Sequence, residues 1–147
     1  MAIKCAVKDL GVTRIITSPV EHHCVMHTVE RLEKEGVKID FVQVEDCGRP
    51  NYDDLQRLLD ESDATTLVSL MHANNEIGTV LDLAKVSEIC EAKGAYLHSD
   101  TVQTIGHIPM DLSKIKIHFI SGAAHKFHGP KGVGFIYINN DVNIQPY

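Results

Sequence analysis

Apolar residues along the chain follow two spacings, and each spacing marks a different kind of element. The runs TRIITS (13–18), TLVSLM (66–71) and AYLHSD (95–100) are short and rich in β-branched or other apolar residues, which predicts strands. TLVSLM has the character of a strand buried on both faces. KIDFVQV (38–44) alternates apolar with polar residues, as a half-exposed strand does. IHFIS (117–121) and VGFIYI (133–138) predict two further buried strands. Helical spacing takes over from Glu21 to Glu35, where Val25, Thr28, Val29 and Leu32 share a face and Gly36 ends the run. Asn51 is placed to cap a helix through Leu59, with Tyr52, Leu55 and Leu58 as its buried stripe. Asp82 is placed to cap another, lined by Leu83, Val86, Ile89 and Cys90 and stopped by Gly94. The stretches EDCGRPN (45–51) and HANNEIG (72–78) are polar turns, and 101–116 is a connection with at most one helical turn.

Strands that alternate with helices predict βαβ units on a parallel or mostly parallel sheet, hence a three-layer α/β/α arrangement. Ligands of such sheets bind beyond the carboxyl ends of the strands. Three polar clusters stand at those ends here: HANNEIG, HSDTVQ (98–103) and SGAAHK (121–126). On a parallel sheet they converge on one rim. Asp100 lies at the mouth of a buried strand, where a carboxylate is costly unless a cation or donor meets it. Lys126 lies in a Gly/Pro-rich turn between two apolar strands, a semi-enclosed setting in which an amine can attack carbonyls and form a Schiff base. By itself Lys126 reads first as a surface turn lysine. A lysine together with a carboxylate is the minimum set for pyridoxal phosphate, the first holding the aldehyde and the second keeping the ring nitrogen protonated.

Composition narrows the partners. The 147 residues are the size of one ordinary domain and suffice for a core. With 14 basic and 20 acidic residues and no basic patch, nucleic acid and an anionic membrane are not expected partners. Apolar runs are strand-sized, well below the ~20 residues of a membrane helix, and MAIKCAVKDLG at the start has no signal-like apolar stretch. Cys5, Cys24, Cys47 and Cys90 are scattered without a CxxC pair, which fits unpaired thiols in a reducing cytoplasm.

At this point the chain resembles a known family. EHHCV (21–25), MHANNEIGTV (71–80), HSDTVQTIGHIPMDL (98–112) and SGAAHKFHGPKGVGFIYI (121–138) are together similar to the cysteine desulfurases. These are fold-type I pyridoxal-phosphate enzymes of the class V aminotransferase group. The NNEIG and HKFHGPKG forms resemble the branch that supplies sulfur for iron–sulfur cluster assembly. The four motifs stand in order from about Arg14 to Ile138.

Residue by residue, the resemblance implies that Lys126 holds the cofactor as a Schiff base and later serves as general base. Asp100 would pair with the pyridine nitrogen, and Gln103 would donate to the phenolic oxygen. His22 would stack on the ring and move protons, and His125 would contact the phosphate. Asn75 would lie near the phenolic oxygen or the substrate carboxylate. One position departs from the family: a phosphate-binding serine usually stands where this chain has Ala123, and losing one neutral donor costs about 1–3 kcal/mol. The resemblance also implies that the family's phosphate-binding turn lies ahead of Met1. Its sulfur-accepting cysteine and substrate-binding arginine would lie beyond Tyr147. On that expectation residues 1–147 are a partial large domain without the N-terminal segment and the C-terminal small domain. The parent would be a homodimeric enzyme converting L-cysteine to alanine and passing persulfide sulfur to an iron–sulfur scaffold or another acceptor. The isolated chain would be inactive, or act only as a module that binds the cofactor weakly or self-associates through exposed sheet edges.

Other residues carry less. Cys24 falls within a predicted helix and matches no catalytic position, so it is expected to pack. His23 and His27 are spaced i, i+4, but no third ligand has suitable spacing and no metal site is expected. GPKGVG (129–134) lacks the layout of a nucleotide-binding loop. His98 is expected to be a core histidine with local hydrogen bonds.

Overall fold

The computed structural model describes residues 1–145. Six strands form one sheet: β1 (Arg14–Thr17), β2 (Lys38–Phe41), β3 (Thr66–Ser69), β4 (Tyr96–Asp100), β5 (Phe119–Ala123) and β6 (Gly134–Ile138). Their order is β2-β1-β3-β4-β5-β6, with every pairing parallel except β5 with β6. Four helices accompany them: α1 (Ala2–Asp9), α2 (His23–Lys34), α3 (Tyr52–Asp60) and α4 (Leu83–Ala92).

The strands alternate their side chains between two cores. Ile15, Leu67 and Phe119 pack under α1 and α2 with Ile3, Ala6, Val25, Val29 and Leu32. Ile16, Val68, Leu97 and Ile120 pack under α3 and α4 with Leu55, Leu58, Leu59, Val86 and Ile89. Because both faces are covered, β1 and β3 are buried at every position. The three-layer α/β/α architecture expected from the sequence is therefore the one observed.

Helix starts follow their caps. The Asn51 side chain accepts from the Asp54 N–H at 2.9 Å, and that of Asp82 from the Lys85 N–H at 3.0 Å. Past α4, Gly94 takes φ +64°, the left-handed turn that lets the chain leave the helix and enter β4.

Two elements differ from expectation. The first residues, expected only to be free of a signal segment, form α1, which buries Ala2, Ile3, Cys5 and Ala6. The strand β6, expected to be buried, is exposed at Phe135 (40 %), Ile136 (39 %) and Ile138 (42 %). It is the edge strand, and only Tyr137 packs against a core. The polar stretch after β6 is described to Gln145, and Pro146 and Tyr147 lie outside the described residues. Among the described residues no helix is long and apolar enough to cross a membrane.

The strand order reverses at β1. From there the chain adds β2 on one side and β3 to β5 on the other, and the helices after β1 and β3 lie on opposite faces of the sheet. A crevice beyond the strand ends is the usual ligand position at such a reversal.

Candidate active site

The crevice is present. A cleft of about 520 Å³ opens beyond the ends of β1, β3, β4 and β5, lined by His22, Asn75, Asp100, Gln103, His125 and Lys126. All six residues singled out in the sequence thus meet in one place. Cys24, Met71, Val102 and Ala123 complete the lining.

Each wall has its own support. After β4, Thr101 Oγ1 donates to the Ser121 carbonyl at 3.0 Å, and buried Thr104 lies 2.9 Å from His72 Nδ1. With both threonines turned inward, Gln103 stays half-buried on the cleft side. After β3, the Asn74 side chain donates to the Val20 carbonyl at 2.8 Å and accepts from the Glu76 and Ile77 amides. That pinned turn leaves Asn75 exposed to the cleft. After β1, His22 caps α2, its Nδ1 accepting from the Cys24 N–H at 3.2 Å. An accepting Nδ1 puts the proton of a neutral ring on Nε2.

Asp100 ends β4 in register with Ser121 and is 6 % exposed. Its Oδ1 accepts from the Val102 N–H at 2.9 Å, and among the described residues it forms no ion pair. Burial raises its pKa above the ordinary carboxylate value, while the Val102 N–H and nearby His22 act in the opposite direction. Lys126 ends a single 3-10 turn, Ala124–Lys126, directly after β5. It is exposed, not semi-enclosed as the flanking apolar runs suggest, because β6 and the turn before it are themselves exposed. His125 is exposed beside it.

Cys24 is a second correction. It is exposed and lines the cleft, because the first turn of α2 faces the strand ends and not the core. Partial burial and the charge of Asp100 raise its thiol pKa, which disfavours the nucleophilic thiolate. His98 is the core histidine expected, at 2.9 Å from both Ser69 Oγ and Ser121 Oγ, so its bonds reach across strands. Burial pushes its pKa down to about 4. The rings of His23 and His27 stack at 5.8 Å, and no cluster of three or more metal-binding side chains occurs among the described residues.

Glu21 was not legible as a site residue. It is 8 % exposed and accepts from Ser18 Oγ at 2.7 Å and the Met71 N–H at 2.9 Å through Oε1. Its Oε2 is buried without a partner among the described residues. Burial, reinforced by the charge of Asp100 and opposed by the two hydrogen bonds, pushes its pKa up to about 7. Its one sequence signal is adjacency to His22 at the end of an apolar strand.

The chain matches the family Aminotransferase class-V over residues 2–146. It belongs to the class-V aminotransferases. It is 46 % identical over 131 residues to "Cysteine desulfurase IscS" of Clostridium botulinum (strain Hall), covering 89 % of this chain and 32 % of that one. The corresponding protein of Methanosarcina thermophila is 42 % identical over 144 residues, covering 98 % and 35 %. Among solved structures, a "NIFS-LIKE PROTEIN" superposes with a TM-score of 0.90 at 41 % identity, covering 99 % of this chain and 40 % of the other. A structure described as "SspA in complex with cysteine" superposes with a TM-score of 0.88 at 29 % identity, covering 95 % and 40 %. The chain spans about a third of the length of the curated relatives it matches. This class-V aminotransferase chain thus has the mostly parallel sheet of its NifS-like structural neighbours, with the six motif residues at its strand ends.

Proposed function

We propose that the cleft binds pyridoxal 5'-phosphate and belongs to a cysteine desulfurase of which these residues form the central part of the large domain. The observation that carries this is the meeting of Lys126 with buried Asp100 in one cleft. The residues fit the group. Asp100 is a buried carboxylate with a single backbone donor on Oδ1, and a protonated ring nitrogen supplies the cation that the described residues do not. When bound, the cofactor draws electron density from the substrate carbon attached to it.

Lys126 Nζ would hold the group through its aldehyde carbon and would move protons at the substrate carbon. Gln103 is assigned to the phenolic oxygen and His125 to the phosphate. His22 is assigned to the ring face, with a transferable proton on Nε2. Asn75 is left to the phenolic oxygen or the substrate carboxylate. L-Cysteine is the proposed substrate, supported by the relatives' description as cysteine desulfurases and by a neighbour in complex with cysteine. An iron–sulfur scaffold or other sulfur acceptor and a second copy of the protein are the proposed partners.

The polypeptide of residues 1–147 differs from the whole enzyme in what it can do alone. Because it matches about a third of its relatives' length, we propose that it binds the cofactor without turnover. Incubation with pyridoxal 5'-phosphate should colour the protein yellow, and borohydride should fix the cofactor covalently on Lys126. Both effects should vanish in Lys126→Ala. A colourless wild-type protein overturns the cofactor assignment, and Lys126-dependent release of alanine by these residues alone overturns the proposed lack of turnover.

A further inference from the structure

The carbonyl of Lys126 has one hydrogen-bond partner among the described residues. His107 Nε2 lies 2.7 Å from it, and since a carbonyl only accepts, Nε2–H is the donor. His107 comes from the other wall of the cleft, the turn that follows Asp100 and Gln103. A frame of bonds runs back from it. The His107 N–H donates to the Thr104 carbonyl at 2.9 Å, Thr104 Oγ1 lies 2.9 Å from His72 Nδ1, and the His72 N–H donates to the Asp100 carbonyl at 2.9 Å. Beside this bond the two walls touch. Gly106 has φ +80°, a conformation strained for other residues, and a Cβ there would stand 3.0 Å from Phe127 Cβ, so the turn lies close against the residue after Lys126.

The turn carrying Lys126 has little else to fix it. It is one 3-10 turn without a side-chain cap, tied by Phe127 and Gly129 N–H bonds to the Ala124 carbonyl and by an Ala124 N–H bond to the Val133 carbonyl. A cofactor that bonds to Lys126 and pairs its ring nitrogen with Asp100 is held at opposite ends of a rigid ring. Its binding therefore depends on the separation of the two walls.

We infer that His107 is a positioning residue, whose hydrogen bond to the Lys126 carbonyl sets the Lys126 turn against the Asp100–Gln103 wall. Its link to the cofactor rests on the function proposed above, whereas the clamp itself does not.

The test uses the full 147 residues with His107 changed to Ala, Asn or Gln. Glutamine places an amide N–H where Nε2 stood, whereas asparagine falls short. Expected are a loss of about 3- to 10-fold in pyridoxal 5'-phosphate affinity for His107→Ala and His107→Asn, the size of one neutral hydrogen bond, and recovery in His107→Gln. In the cofactor-free protein, hydrogen exchange at the Phe127 and Gly129 amides should speed up in the Ala and Asn variants and return to wild type with Gln. Unchanged exchange in His107→Ala overturns the clamp. Unchanged affinity, or affinity loss that Gln does not restore, overturns its positioning role. If wild-type protein fails to bind the cofactor while exchange follows the expected order, the clamp stands and the cofactor assignment falls.

Discussion

Glu21 Oε1 accepts the Met71 amide proton at 2.9 Å and so ties the end of β1 to the end of β3, across the line where the sheet reverses its order. The bond comes from the residue before His22 and meets the chain shortly before Asn75, so two cleft residues share one anchor. The anchor is a buried carboxyl, and that makes it sensitive to pH.

The sign follows from proton binding. Glu21 has a folded pKa of about 7 against an ordinary 4.5, so its contribution is full below 4.5 and is lost as pH rises through 7. His98 runs the other way, with a folded pKa of about 4 against 6.5, so its contribution is full above 6.5 and is lost as pH falls through 4. Between 4.5 and 6.5 the two slopes oppose each other. Glu21→Gln should unmask the histidine, so that the variant loses about 3 kcal/mol relative to wild type on acidification from about 7 to 4.5. Urea unfolding across that range measures it, and parallel curves for the two proteins would refute the buried-acid account.

Ala123 ends β5 and lines the cleft beside Lys126. Ala123→Ser should add a hydroxyl donor for the cofactor phosphate and tighten binding by about 1 kcal/mol, or roughly fivefold. Titration of both proteins with pyridoxal 5'-phosphate checks it. The gain should be absent with pyridoxal, which has no phosphate.

Asp100→Asn should leave covalent capture by Lys126 possible while removing the charge that stabilises a protonated ring nitrogen. The expected readout is a cofactor that attaches but titrates at lower pH in absorbance. An absorbance titration identical to wild type would remove Asp100 from its assigned place.

Arg14 is 1 % exposed, paired to Asp40 on β2 and donating to the Leu58 carbonyl at 2.7 Å. Asp40→Ala leaves that guanidinium without its carboxylate and should destabilise the fold by about 3–5 kcal/mol. Arg14→Met, which removes the buried charge, should cost less. Denaturant unfolding of the two variants ranks them.

Ile136 and Ile138 expose apolar surface on edge strand β6. Self-association should therefore rise with concentration, and the double change Ile136→Lys and Ile138→Lys should weaken it while leaving the cores intact. Light scattering over a concentration series decides this, and a wild-type monomer throughout would count against the dimer.

Most of the fold was legible because it is written in local periods. Val25, Val29 and Leu32 repeat at helical spacing, and Asn51 and Asp82 stand three residues before the amides they cap. Of the six candidate site residues, Lys126 and Asp100 were legible by type and place, a lysine and a carboxylate at strand ends, whereas His22, Asn75, Gln103 and His125 were raised only by the motifs that resemble the family. Helix α1 was not legible, since Met1 gives no side-chain cap and its apolar face is short.

Apart from α1, sequence by itself determined which segments are strands and helices, and that the polar motifs stand at strand ends, since both depend on neighbours a few residues away. Only the tertiary structure decided exposure and partnership. The same apolar pattern is buried in β3, with neighbours on both sides, and exposed in β6, with one. Burial turns Glu21 from a surface acid into an anchor, and the first turn of α2 brings Cys24 to the cleft. Nor does any local rule foresee that His107 meets the carbonyl of Lys126, 19 residues away. Such contacts follow from how the sheet brings distant turns together, and no spacing along the chain encodes them.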